Sequence, residues 1–234
     1  MSRTRHLLLL AAIAAPLGAC ASSAYRDDAY GTEPLVREFP VTDTAYVEPK
    51  GSLRTTGALS YARAGGEEFV DLVAGGEYGL ARRFQVELEV PIRLDPSAGI
   101  DALRFGGLYG ILTDRDELVL SGGLFVDLPV DGGKVAFTPF FAAARWFDPV
   151  EVHASLGLTA TEDDADAVWS LAAATSLDRV RPTLELFGVG GAASVAPGVL
   201  VRVSDRADLG FGIPIGITGR AADWGVVAKL NVAW

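Results

Sequence analysis

From Trp224 to Trp234 the chain alternates without a break. Trp224, Val226, Ala228, Leu230, Val232 and Trp234 fall on one parity, and Gly225, Val227, Lys229, Asn231 and Ala233 fall on the other. Successive side chains of a β-strand point to opposite faces, so this period gives the segment one apolar face with an aromatic residue at each end. Ten steps of about 3.3 Å, tilted about 40°, project to roughly 25 Å, the height of the lipid-facing band of an outer-membrane barrel. Trp224 and Trp234 are then expected in the two interfacial girdles of such a band.

The same period recurs upstream with different residues. Phe84, Val86, Leu88, Val90, Ile92 and Leu94 alternate with Gln85, Glu87, Glu89, Pro91 and Arg93; Leu209 to Thr218 and Val150 to Thr159 repeat the pattern. A soluble sandwich also alternates, with its apolar face toward a core, so alternation alone does not choose between core and lipid. Composition narrows the choice. Half of the residues are hydrophobic and mean hydropathy is +0.28, yet beyond the N-terminus there is no apolar run of the roughly 18 residues that a membrane-spanning helix needs. The hydrophobicity is spread over short segments. A net charge of −10 with three Lys argues against nucleic-acid partners, whose affinity rests on clustered Lys and Arg.

Turn residues divide the chain. One set of polar connections falls at Ala81-Arg82-Arg83, Thr113 to Asp116, Phe147-Asp148-Pro149, Asp178 to Arg181 and Ser204-Asp205-Arg206. Their markers recur at intervals of roughly 30 residues, the length of a two-strand unit. A second set lies between them, at Ala64 to Glu68, Asp95 to Asp101, Asp131 to Gly133, Glu162 to Asp166, Val195 to Gly198 and Gly219 to Asp223. The division predicts an all-β, antiparallel, up-and-down transmembrane barrel of about twelve strands with short turns over residues 51–234. The first set is expected at the periplasmic end and the second at the outer end.

Residues 1–19 read as a secretory signal, with Arg3 and Arg5 ahead of the apolar Leu7 to Ala15. Leu17-Gly18-Ala19-Cys20 resembles a lipoprotein lipobox, which implies lipidation at Cys20; ordinary signal cleavage near Ala19 to Ala24 is the alternative. Residues 20–50 are polar and acidic, with Pro34, Pro40 and Pro49, and are expected to form an extended periplasmic tether with a short strand around Leu35 to Phe39. Cys20 is the one cysteine, so neither an internal disulfide nor a thiolate metal cluster is expected.

Glu77-Tyr78-Gly79-Leu80-Ala81-Arg82-Arg83-Phe84-Gln85-Val86-Glu87-Leu88, followed by Val90-Pro91, resembles the strand-turn-strand unit of bacterial outer-membrane barrels of the MetA-pathway phenol-degradation type. Gly79-Leu80 before the turn, Pro91 closing the next strand and the terminal Trp234 carry the resemblance, with an echo in Gly212-Ile213-Pro214. It implies passage of small, including aromatic, solutes across the outer membrane of a Gram-negative bacterium. Outer-membrane lipid and the barrel-assembly machinery, which reads a terminal aromatic residue, are the implied partners. It supplies no catalytic residue.

If the apolar parity faces lipid, the other parity lines a lumen. Arg54, Asp71, Glu77, Glu87, Glu89, Arg93, Arg104, Asp127, Glu151, His153, Glu185, Arg202 and Lys229 are the expected lining residues. Charges so placed either set pore selectivity or bridge one another and fill the barrel. Glu151, His153 and Ser155 share a parity, which suggests a lipid hydrolase as one alternative. A structural or binding lipoprotein with a soluble β-domain is another. With two histidines, one of them in the signal, no metal site or cofactor is expected. Gly188 to Gly191 lacks the strand-to-helix setting of a nucleotide loop and is expected to relieve crowding in a curved sheet.

Overall fold

The computed structural model describes residues 36–114, 118–175, 177 and 179–234. The signal, the lipobox and Cys20 therefore lie outside the described residues.

Twelve antiparallel strands follow one another around a closed barrel: β1 (Leu53–Ala64), β2 (Glu67–Ala81), β3 (Phe84–Asp95), β4 (Ala102–Asp114), β5 (Leu118–Pro129), β6 (Ala136–Phe147), β7 (Val150–Ala160), β8 (Ala165–Thr175), β9 (Val180–Val189), β10 (Ala192–Ser204), β11 (Ala207–Gly212) and β12 (Trp224–Ala233). Two two-residue pieces, Gly99–Ile100 and Ile215–Gly216, extend the sheet at the loop end. Closure comes from β1 against β12, in register from Arg54 opposite Ala233 to Arg63 opposite Trp224. Closing the sheet leaves no unpaired edge to desolvate.

Strand connections follow local chemistry. The β1–β2 turn is Gly65-Gly66, with φ of 59° and 91°, the left-handed pair that matches the twist of a tight hairpin. The β9–β10 turn is Gly190-Gly191, with φ of 57° at Gly190. This corrects the connection expected at Val195 to Gly198, which lies within β10. The glycines two strands' ends share supply the turn, and Pro197 is carried inside a strand.

Side-chain direction follows the sequence period around the circumference. Val86, Leu88, Ile213, Ile215, Val226 and Leu230 are all exposed on the outer face, as are Leu124, Phe141, Leu156, Leu171 and Leu184. Trp224 is exposed at one end of β12 and packs on Tyr61 at 5.2 Å between ring centroids. At the other end Trp234 donates from Nε1 to Thr55 Oγ1 (3.1 Å). A closed barrel with its large apolar side chains outside is the surface of a lipid-spanning protein, and it excludes the soluble β-domain alternative.

The core lies inside, and the strands do not make it alone. Residues 36–50, expected in an extended tether outside the barrel, instead run through the turn-end half of the lumen, and 36–39 form no strand. Val36, Phe39, Ala45, Tyr46 and Val47 are buried there. They pack in two clusters on Ala142, Ala144, Ala172 and Ala174, with Leu108, Val119 and Leu200 beside them. The physical reason is volume: twelve strands enclose more space than small inward side chains fill, and apolar residues in an otherwise polar segment occupy it.

Candidate functional site: a lumen with two levels

The inner loop is held by buried polar contacts to charged residues projecting from the strands. At its tip, Val41 N and Thr42 N donate to Glu185 Oε2 on β9 (3.1 and 2.6 Å), and Thr42 Oγ1 donates to the same oxygen (2.9 Å). One carboxylate oxygen thus anchors the turn. On the entering limb Glu38 accepts from Lys229 Nζ of β12 (2.5 Å). On the leaving limb Glu48 accepts from Arg54 Nε of β1 (2.7 Å), and Glu48 N donates to Gln85 Oε1 of β3 (2.7 Å). Between them Tyr46 Oη donates to Glu151 Oε1 (2.5 Å), and Ser121 Oγ donates to the Ala45 carbonyl (2.5 Å). Thr44 Oγ1 donates to the Arg37 carbonyl (2.7 Å) and ties the limbs together.

Two loop carboxyls respond to this burial in opposite directions. At Glu38 burial outweighs the attraction of Lys229 and, with the nearby charge of Asp43, pushes the carboxyl above its ordinary range. At Glu48 burial also opposes ionisation, but Arg54 and Arg37 overcome it and hold the carboxyl below its ordinary range.

Above the loop tip the lumen is open toward the loop end. A cavity of about 430 Å³ stands there, floored by Thr42, Asp43 and Thr44. Phe125, Phe140, Phe187 and Val168 form its apolar walls, with Thr138, Ser155, Thr159 and Ser170 between them. The Phe125 and Phe140 rings are stacked, 4.9 Å apart and 5° from parallel. Glycines decide that pose: a Cβ at Gly106 would come within 2.5 Å of Phe125, and one at Gly123 within 2.6 Å of Phe140. The rings lie against bare backbone and leave the axis free. Arg104, also on the wall, lies 5.5 Å over the Phe125 ring. Its guanidinium is shared between Asp127 (2.7 Å) and Glu89 (3.4 Å), and Arg93 is likewise shared between Asp71 and Asp101, both at 3.2 Å.

The lining residues named from sequence divide between the two levels. Arg54, Glu77, Glu151, His153, Glu185 and Lys229 are buried against or beside the inner loop. Asp71, Glu89, Arg93, Arg104 and Asp127 form the ion-paired wall of the open half, while Glu87 faces the small cavity between the levels with Glu38 and Asp43. Arg202 shares the inward parity of buried Leu200 on β10. The hydrolase constellation is not brought together. His153 Nε2 stands 3.0 Å from Glu151 Oε1, with its ring edge-to-face on Phe39 and Tyr46, while Ser155 Oγ is paired with Ser170 Oγ at 2.7 Å. Among the described residues no group of three or more His, Cys, Asp and Glu is placed to hold a metal ion.

Sequence reasoning missed the inner loop and Asp43. A signal for them was present in the small inward residues of β6 and β8 and in Val36, Phe39, Tyr46 and Val47, which are apolar residues in a segment taken as solvated.

Fold and lumen together define a closed, twelve-stranded antiparallel barrel with an apolar outer face and a partly filled lumen. No family model matches the chain, and no curated protein matches it by sequence. Among solved structures it is similar to the KdgM porin (TM-score 0.59, 9% identity, 78% of this chain and 99% of that one). It is also similar to the NanC porin (TM-score 0.56, 9% identity, 77% and 98%). A structure titled as the KdgM porin in complex with disordered oligogalacturonate aligns with a TM-score of 0.57 at 9% identity, over 78% of this chain and 98% of that one. At such identity the likeness is one of fold.

Proposed function

We propose that the protein is an outer-membrane channel for small solutes, closed in this state by its own residues 36–48. The observation that carries the reading is the contrast along one lumen: an open, partly aromatic cavity of about 430 Å³ ends on a floor held by hydrogen bonds and ion pairs. Fold likeness to the KdgM and NanC porins supports it. The aromatic walls support the aromatic solutes implied by the phenol-degradation resemblance. The turn end, where the inner loop meets β1, is read as periplasmic, consistent with a secreted chain whose Cys20 carries a lipid in the inner leaflet.

Single-channel recording in planar bilayers tests this. The full chain is expected to be closed for most of the record with discrete openings. A chain lacking residues 36–48, shown to be folded by a heat-dependent shift in gel mobility, is expected to be open continuously. A closed record from both chains at every voltage would remove the channel reading.

A further inference from the structure

We infer that the open half of the lumen is a binding site for small aromatic cations, such as arylalkylammonium ions, with Asp43 as the residue that selects their charge. The inference deepens the channel reading and rests on it only in taking the cavity as part of a solute's route.

Three independent observations meet at this cavity. The first is its wall. Phe140 and Phe187, with Phe125 stacked on Phe140, give a planar solute an aromatic wall, and a ring face carries the negative end of its quadrupole. The second is the charge left to the solute. Arg104, the one cation lining the cavity among the described residues, already faces two carboxylates, Asp127 and Glu89, and lies over Phe125. Asp43 is exposed on the floor, at the tip of the inner loop. An ammonium group with its ring against the phenylalanine wall meets the Asp43 carboxylate on the floor, whereas an anion meets Asp43 and an arginine whose charge is matched.

The third observation is the approach. The connections at the loop end are acidic: Asp95, Asp101, Asp131, Glu162 to Asp164, Asp166 and Asp223 are all exposed there. Lys134 at this rim is bonded to Glu162 and Asp163. The turn end has the opposite character, with Lys50, Arg82, Arg83, Arg179 and Arg206 against Asp148 and Asp205 among the described residues. Arg63 and Arg220 are also exposed at the loop end, but the acidic residues there outnumber the basic ones. A mouth of net negative charge above a narrow cavity concentrates cations, and the effect weakens as salt rises.

Calorimetric titration of the full chain in detergent at about 0.15 M salt, where the exposed rim charges are largely screened, provides the test, with phenethylammonium, phenylacetate and cyclohexylethylammonium as probes. Phenethylammonium is expected to bind about tenfold or more tightly than either of the others, the scale of one well-placed contact. Asp43→Asn is expected to abolish the preference over phenylacetate, and Asp43→Lys to reverse it, with unchanged heat-dependent gel mobility. Equal or tighter binding of phenylacetate, or a charge preference that survives Asp43→Asn, overturns the proposal. The channel reading fails separately: amine preference in a protein that never conducts removes the channel and leaves the site standing.

Discussion

The two halves of the lumen are built by the same twelve strands, yet one is a packed core and the other an open cavity. Near the turns the inward positions of β6, β8 and β10 are small, with Ala142, Ala144, Ala172, Ala174 and Ala196 all buried, and the inner loop fills the space they leave. Toward the loops the inward positions carry Phe125, Phe140 and Phe187, and the inner loop reaches only the base of this wall, where Phe140 packs on its apolar cluster. Inward side-chain size along β6, β8 and β10, more than strand number, decides where this barrel has room for the loop. Polar chemistry differs in the same way: the filled half buries its charges against loop partners, while the open half pairs Arg93 and Arg104 with carboxylates on the wall itself.

The largest expected effect comes from forcing the packed half to resemble the open one. Gly79 lies where the loop leaves the lumen: Gly51 N donates to its carbonyl (2.7 Å), and its own N–H donates to Ser52 O (3.0 Å). A Cβ there would stand 1.9 Å from the Pro49 carbonyl oxygen. Backbone on both sides of this contact leaves no flexible side chain to give way, so Gly79→Val is expected to displace the loop. Conductance should approach that of the chain lacking residues 36–48, and a record as closed as that of the parent chain would show that the loop tolerates a different exit.

Removing one charged anchor should do less. Lys229→Met strands Glu38 in a buried site, and breaking a buried pair from one side costs about 3–5 kcal/mol. The open fraction is expected to rise steeply. Adding Glu38→Gln should restore much of the closed state, because the second substitution removes the uncompensated carboxylate. A double variant as open as Lys229→Met alone would place the anchor elsewhere.

How much of this contrast the sequence shows depends on the kind of signal. The outer surface was legible because lipid imposes one strict period: Val86, Leu88, Val226 and Leu230 face out where the alternation puts them. Turn positions were legible where Arg82 and Asp148 mark them, and less so at Gly190-Gly191, where a glycine pair in a Gly-rich strand resembles a relief of crowding and Pro197 mimics a turn. The lumen charges were found as a parity class, but not their division between two levels. That division depends on a segment distant in sequence, joined to Glu185 across 143 positions and to Lys229 across 191. No local period encodes such contacts. Only the misfit of Phe39 and Tyr46 in a polar stretch, read against the alanines of β6 and β8, carries the information.

The smallest expected effect is the dependence of loop docking on pH, and its two limbs have opposite signs. Glu48 is held below its ordinary value of 4.5 when docked, so its contribution is present above pH 4.5 and is lost as pH falls further through the docked value. Glu38 is held above 4.5 when docked, so its contribution is complete below pH 4.5 and fades as pH rises through the docked value. The loop should therefore be most tightly closed at mildly acidic pH and open more often on either side. Open probability measured from pH 3.5 to 7.5 gives the profile, and two variants assign its limbs. Glu48→Gln should flatten the acid limb and leave the other, and Glu38→Gln should flatten the neutral limb alone. Substituting Phe187→Leu in the open half should leave both limbs in place, since that ring lines the cavity and belongs to neither cluster that packs on the loop; a change in either limb would mean that the two halves are coupled.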